Sequence, residues 1–218
     1  MEQNITPAPV ATTKLPLVET LKEGVSLALK NYLNIILTVL LYVVTVWIPY
    51  LNVGTTIALS ALPAELAKGN KLNPTYIFNA KYRKNMGEFF ILNSLMLGGI
   101  LVGLMFMVIP AFVISLAWGL AILLFVDKNK SALEALRESN RITYGNKLNI
   151  FLVSLIIGLA VGIVNGLITL LCSIGYVPTL MTIGSIITNL ITFAVCPIYL
   201  AVNAVIYKKL VLDEEVEA

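Results

Sequence analysis

A pair of polar residues three apart, followed by an unbroken apolar run that ends in a proline turn, occurs three times in this chain of 218 residues. The copies open at Asn31-Tyr-Leu-Asn34, Asn85-Met-Gly-Glu88 and Asn146-Lys-Leu-Asn149. They end at Trp47-Ile48-Pro49, Val108-Ile109-Pro110 and Tyr176-Val177-Pro178, and a second apolar run follows each proline. A helix needs about 20 apolar residues to cross about 30 Å of hydrocarbon. Six stretches meet that need, at about 32–50, 51–67, 88–109, 111–127, 148–172 and 179–207. None alternates with the period of two that a membrane barrel requires. Hydrophobic residues make up 58% and charged residues 12% of the chain, and mean hydropathy is +0.89. That is more apolar surface than a water-soluble core of this size encloses. The expected fold is all-α and integral to the membrane: six transmembrane helices in three hairpin repeats, each preceded by a cytoplasmic amphipathic helix at the interface.

The charges set the orientation. All 15 Lys and Arg fall before the first apolar run, between the second and third, between the fourth and fifth, or after the sixth. The turns around Pro49, Pro110 and Pro178 carry no charge. Positive charge stays on the cytoplasmic side of a bilayer, so both termini are placed there and the outer face consists of three short uncharged turns.

Three segments link the runs on the charged side. From Pro16, a favourable first helical residue, Leu17, Leu21, Val25 and Leu29 form one apolar stripe, as in a helix lying in the interface plane. Asn73-Pro74 opens a second segment, in which Phe78, Tyr82 and Met86 face away from Lys81 and Arg83. Ser131-Ala-Leu-Glu134 is a capping box opening a third, where Glu138 and Arg141 are spaced to pair. Residues 1–15 read as a flexible cytoplasmic tail, 16–209 as one membrane domain and 210–218 as an acidic cytoplasmic tail.

Two sets of residues are candidates for function. Lys81, Arg83, Lys84, Arg137, Arg141 and Lys147 form a basic surface suited to anionic lipid headgroups. Ser60, Pro63, Asn165, Thr188, Asn189 and Pro197 are polar or helix-breaking positions inside the spans, which in transporters can line a solute path. Asn165 and Asn189 lie in consecutive spans at depths where they could meet. Glu65 and Asp127 occupy equivalent places after their prolines, and Arg137 or Arg141 are their expected partners. Two ladders of small residues, Gly99 with Gly103 and Ser154, Gly158, Gly162 with Gly166, point to close helix neighbours. Cys172 and Cys196 are placed too far apart for a disulfide.

The chain has no His, which removes Ser-His catalysis and His-ligated metal sites. Its only aspartates are Asp127 and Asp213, so no aspartyl dyad forms within the membrane. No catalytic residue, metal or cofactor is expected, and no nucleic-acid motif is present.

The order of segments, and above all Ser131-Ala-Leu-Glu-Ala-Leu-Arg137-Glu-Ser-Asn-Arg-Ile-Thr-Tyr-Gly145-Asn146-Lys-Leu-Asn-Ile-Phe151, resembles a broad group of bacterial six-span proteins. That group is related to the membrane domain of some glycerophosphoryl diester phosphodiesterases. The resemblance implies a six-helix bundle in the bacterial inner membrane. It does not bring the phosphodiesterase activity, which in those enzymes resides in a separate soluble domain. The resulting expectation is a non-enzymatic scaffold or lipid-associated accessory protein, with membrane lipids and a protein as partners and a homo-oligomer as an option. The alternative is a transporter or channel for an uncharged or amphipathic solute.

Overall fold

The computed structural model describes residues 14–174 and 177–213; the tail through residue 13, Tyr176 at the third turn and the acidic residues from Glu214 onward lie outside them. The described residues form helices and no strand: α1 (Leu17–Thr45), α2 (Leu51–Ala67), α3 (Met86–Met105), α4 (Val108–Ala117), α5 (Ala121–Lys128), α6 (Ala132–Ile142), α7 (Lys147–Ser173) and α8 (Pro178–Tyr207). Two 3-10 turns, Pro74–Phe78 and Ala80–Arg83, link α2 to α3, and a π turn, Lys208–Leu212, extends α8. Five stretches are long and apolar enough to cross a membrane: α1, α3, α4 with α5, α7, and α8 with its π turn. The chain is therefore an all-helical, multi-pass membrane protein. The sixth expected span corresponds to α2, which has 17 residues.

The three linking segments take three different forms. The first has no boundary with the apolar run after it, and α1 runs through both. Its buried face is not the leucine stripe but Thr20, Gly24 and Ala28, while Val25 and Leu29 are exposed. The reason is the close approach of α8: a Cβ on Gly24 would sit 2.9 Å from the Val202 backbone. Between apolar helices in lipid, small residues win the contact because they allow dense packing.

The second segment is two short turns rather than a helix. The Asn73 side chain accepts from the Thr75 N–H at 3.2 Å, and the Asn79 side chain from the Lys81 N–H at 3.0 Å. Such local bonds compete with helix propagation. The turns fold back along α2, where the Tyr76 hydroxyl donates to the Ala58 carbonyl at 2.9 Å. Ile77 and Tyr82 are buried and Phe78 is exposed, so the face predicted for a helix is split. The third segment is helix α6 as the capping box predicts: the Ser131 N–H donates to the Glu134 carboxylate at 3.0 Å.

The fourth apolar run breaks at Trp118-Gly119-Leu120. A broken helix leaves backbone groups that need partners where water is scarce. Ser139 of α6 supplies both: its hydroxyl donates to the Ala117 carbonyl at 2.7 Å and accepts from the Leu120 N–H at 3.2 Å. The amphipathic helix α6 is thereby a structural plug for the break.

Helix α8 packs against α1, α2 and α7, and α5 lies between α2 and α6. The main core gathers around Ala58, Ala61, Leu124, Ala135, Ile206 and Tyr207. It reaches Leu15 at one end and Leu210 and Val211 at the other, just past the expected domain ends. Leu15 is clamped by the third polar pair, since Asn146 Oδ1 accepts its N–H at 2.8 Å and Asn149 donates to its carbonyl at 3.1 Å. Helix α7 then leaves the core: Leu159, Ile163, Leu167 and Leu170 are exposed, and Val153 is its one buried residue. A helix apolar all round and exposed along its length fits a lipid environment.

Candidate functional site

The polar residues that the fold gathers form a cleft beside α2. Glu65 and Lys68, one helical turn apart, lie on one face of α2. The turn Ala80–Arg83 brings Lys81 and Tyr82 across from them, and Lys84 and Asn85 follow. The far wall is the end of α5, with Phe125 and Asp127, closed by Asn129. Asn129 is left-handed (φ 50°), a conformation asparagine tolerates better than most residues at a helix C-terminus. The cleft has a volume of about 500 Å³, within the usual range of small-molecule sites. A smaller one of about 90 Å³ shares Glu65, Lys81 and Tyr82.

Two ion pairs brace the walls. Asp127 pairs with Lys68, and its other oxygen accepts from the Tyr207 hydroxyl at 2.7 Å. One carboxylate, 5% exposed, thus joins α2, α5 and α8. Glu65 accepts from Lys81 at 3.1 Å and from Asn70 at 2.7 Å. Arg137 and Arg141 are not the partners of Glu65 and Asp127. The lysines on the chain just after α2 reach those carboxylates first, while Arg141 pairs with Glu138 on its own helix.

Burial works against the Lys81 ammonium, but Tyr82 and Glu65 beside it outweigh that and hold its pKa above the ordinary lysine value. Its Nζ lies 4.7 Å from the centre of the Tyr82 ring. Burial pushes the Tyr82 hydroxyl up, so it is a neutral donor at physiological pH. That hydroxyl is closed off from solvent and has no hydrogen-bond partner among the described residues. The Lys84 side chain has no ion pair or hydrogen bond among them either.

Of the predicted basic surface, Lys81 and Lys84 belong to this cleft. Arg83 instead lays its aliphatic stem over Gly54 at the start of α2. Arg137 is exposed on α6, and Lys147 donates to Asn140 at 2.9 Å, 6.0 Å from the Tyr144 ring centre. Sequence reasoning missed Lys68 and Tyr82. The spacing of Lys68 one turn after Glu65 is a signal for the first; none marks Tyr82, because burial of a turn residue depends on what packs over it.

The predicted solute path does not assemble around either cleft. Pro63 and Pro197 are buried inside α2 and α8, and Ser60 is half-buried. Thr188 and Asn189 both donate back to the Ser185 carbonyl within α8, at 3.0 and 2.7 Å. Asn165 bonds Thr192 at 3.0 Å and not Asn189. Cys172 and Cys196 are free thiols, and no cluster of metal-ligating side chains occurs among the described residues. Comparison with family models, with characterised proteins and with solved structures finds no match to this chain.

Proposed function

We propose that the protein is a non-enzymatic scaffold, or lipid-associated accessory protein, of a bacterial inner membrane, whose basic cytoplasmic surface engages anionic lipid or a protein partner. The observation that carries this reading is the two-sidedness of α6. It buries Ala135, Leu136 and Ser139 while Leu133 and Arg137 are exposed, as is Tyr144 in the turn that follows, with Lys147 at the start of α7. Apolar side chains beside cations suit a surface resting on headgroups, where each cation near an anionic leaflet contributes about 1 kcal/mol. Six spans follow if α2 is counted as the short second arm of the first hairpin. Kinship with the six-span group rests on the 131–151 segment, and the uncharged turns support cytoplasmic termini.

The transport reading draws on Pro63 and Pro197, which lie buried in the neighbouring helices α2 and α8. The scaffold reading is favoured because Thr188 and Asn189 spend their hydrogen bonds within their own helix. Native mass spectrometry of the full chain, gently extracted, tests the proposal. Anionic phospholipid is expected to co-purify in severalfold excess over zwitterionic lipid, and the combined Arg137→Gln, Arg141→Gln, Lys147→Gln variant to reduce that excess. The same lipid mixture on both proteins would overturn it.

A further inference from the structure

We infer that the cleft between α2, the Ala80–Arg83 turn and α5 is a binding site for a phosphate-bearing headgroup carrying a single negative charge. This deepens the lipid-associated reading by naming a ligand class and a place, and it rests on that reading only for the source of the phosphate. Three observations converge.

The first is charge. Lys68, Lys81 and Lys84 line the cleft together with Glu65 and Asp127, so three cations against two carboxylates leave one positive charge. Both carboxylates are already paired, with Lys81 and with Lys68, which leaves the ammonium of Lys84 as the uncompensated group. A phosphate esterified at two oxygens carries one negative charge and balances it. A monoester carries about −1.5 to −2 at neutral pH and exceeds it, and a zwitterionic headgroup leaves it unbalanced.

The second is the donor set. Besides Lys84, the cleft is lined by Asn85, its neighbour in the chain, and by Asn129 on the far wall, and neither amide side chain has a hydrogen bond among the described residues. A phosphate, with several acceptor oxygens, can accept from Lys84 and from more than one of these amides at once, which a single carbonyl acceptor cannot.

The third is shape. The cleft holds about 500 Å³, and Ile57, Phe125 and Val126 supply an apolar wall beside the polar one. A polar headgroup joined to an apolar glycerol ester presents that same division.

The test uses the full-length protein in neutral detergent, titrated with phosphatidylglycerol and, separately, phosphatidylcholine, and followed by native mass spectrometry and thermal unfolding. Phosphatidylglycerol is expected to be retained and to raise Tm, and phosphatidylcholine not to. Lys84→Gln is expected to weaken retention about tenfold. Asn129→Gly is expected to weaken it severalfold without lowering the lipid-free Tm, since it deletes an amide with no partner among the described residues, at a left-handed position (φ 50°) that glycine adopts readily. That second variant separates loss of binding from loss of fold. Lys22→Gln, on the exposed face of α1, removes an equal charge elsewhere and is expected to change retention less than twofold. Dimethyl phosphate, a soluble ester of the same charge, distinguishes the sources. Competition at millimolar concentration assigns a soluble phosphate ester, and its absence assigns the lipid; either upholds the site. Equal losses from Lys22→Gln and Lys84→Gln would overturn the cleft and leave a diffuse basic surface. Failure to retain any phospholipid, with no response to dimethyl phosphate, would overturn both.

Discussion

Helices α3 and α7 carry the same small-residue spacing, and the molecule uses it in opposite ways. In α3, a Cβ on Gly103 would stand 2.8 Å from the backbone of Ala111, and one on Gly99 would meet the Trp118 ring at 2.4 Å. Here the glycines let α4 press against α3. In α7, a Cβ on Gly158, Gly162 or Gly166 would meet nothing within 4 Å. The ladder predicted to mark a close neighbour is open in this chain. What the contrast teaches is that such spacing makes a helix face approachable without saying whether another helix approaches it. The two regions differ in their polar groups too. Glu88 of α3 accepts from the backbone N–H of Ala132 at 2.9 Å, whereas Asn165 of α7 donates to another side chain, the Thr192 hydroxyl of α8, at 3.0 Å.

Three substitutions break or sharpen that contrast. The largest effect is expected from Gly103→Leu, which forces α3 away from the Ala111 backbone. Overpacking of this kind costs about 3 kcal/mol, read as a lower Tm in detergent. A Tm unchanged by this residue would remove the distinction between the two ladders. Next comes Ser139→Ala, which strands the Leu120 N–H at the helix break and leaves the Ala117 carbonyl only the longer bond from the Thr143 hydroxyl, at 3.3 Å. A loss of about 1–2 kcal/mol is expected from one unpaired backbone N–H, with faster amide exchange at Leu120 than at Leu124. Protection equal to wild type at Leu120 would show that α6 does not plug the break. The smallest effect, and of opposite sign, belongs to Gly162→Ala. With open space around it, the alanine should stabilise α7 by about 0.5–1 kcal/mol through helix propensity alone. Destabilisation there would mean that the face is covered in the folded protein, and the regions would then be alike.

Much of the fold is legible from the chain, and the illegible part has a common cause. The apolar runs become helices close to their expected limits, because length and hydropathy are local properties. The capping box at Ser131 and Glu134 forms as read, since all its atoms lie within four residues. The first linking segment fails to separate from its run because nothing between Leu29 and Asn34 stops a helix, and α8 covers the small face. The second fails to become a helix because Asn73 and Asn79 each tie down a turn. For the site, Lys81 and Lys84 could be named from charge alone, whereas Lys68 enters through Asp127, 59 residues away.

The amino-acid order by itself determined that this protein is helical, that it belongs in a membrane, and that its positive charge is confined to alternate connections. These follow from the burial of backbone hydrogen bonds in hydrocarbon and from the cost of moving a charge through it. Only tertiary structure decided which glycines are closed, which carboxylate meets which lysine, and that a turn returning along α2 completes a polar cleft. Those outcomes depend on distances between segments far apart in the chain, and in lipid the packing that sets them comes from shape fit between helices rather than from a hydrophobic drive readable residue by residue.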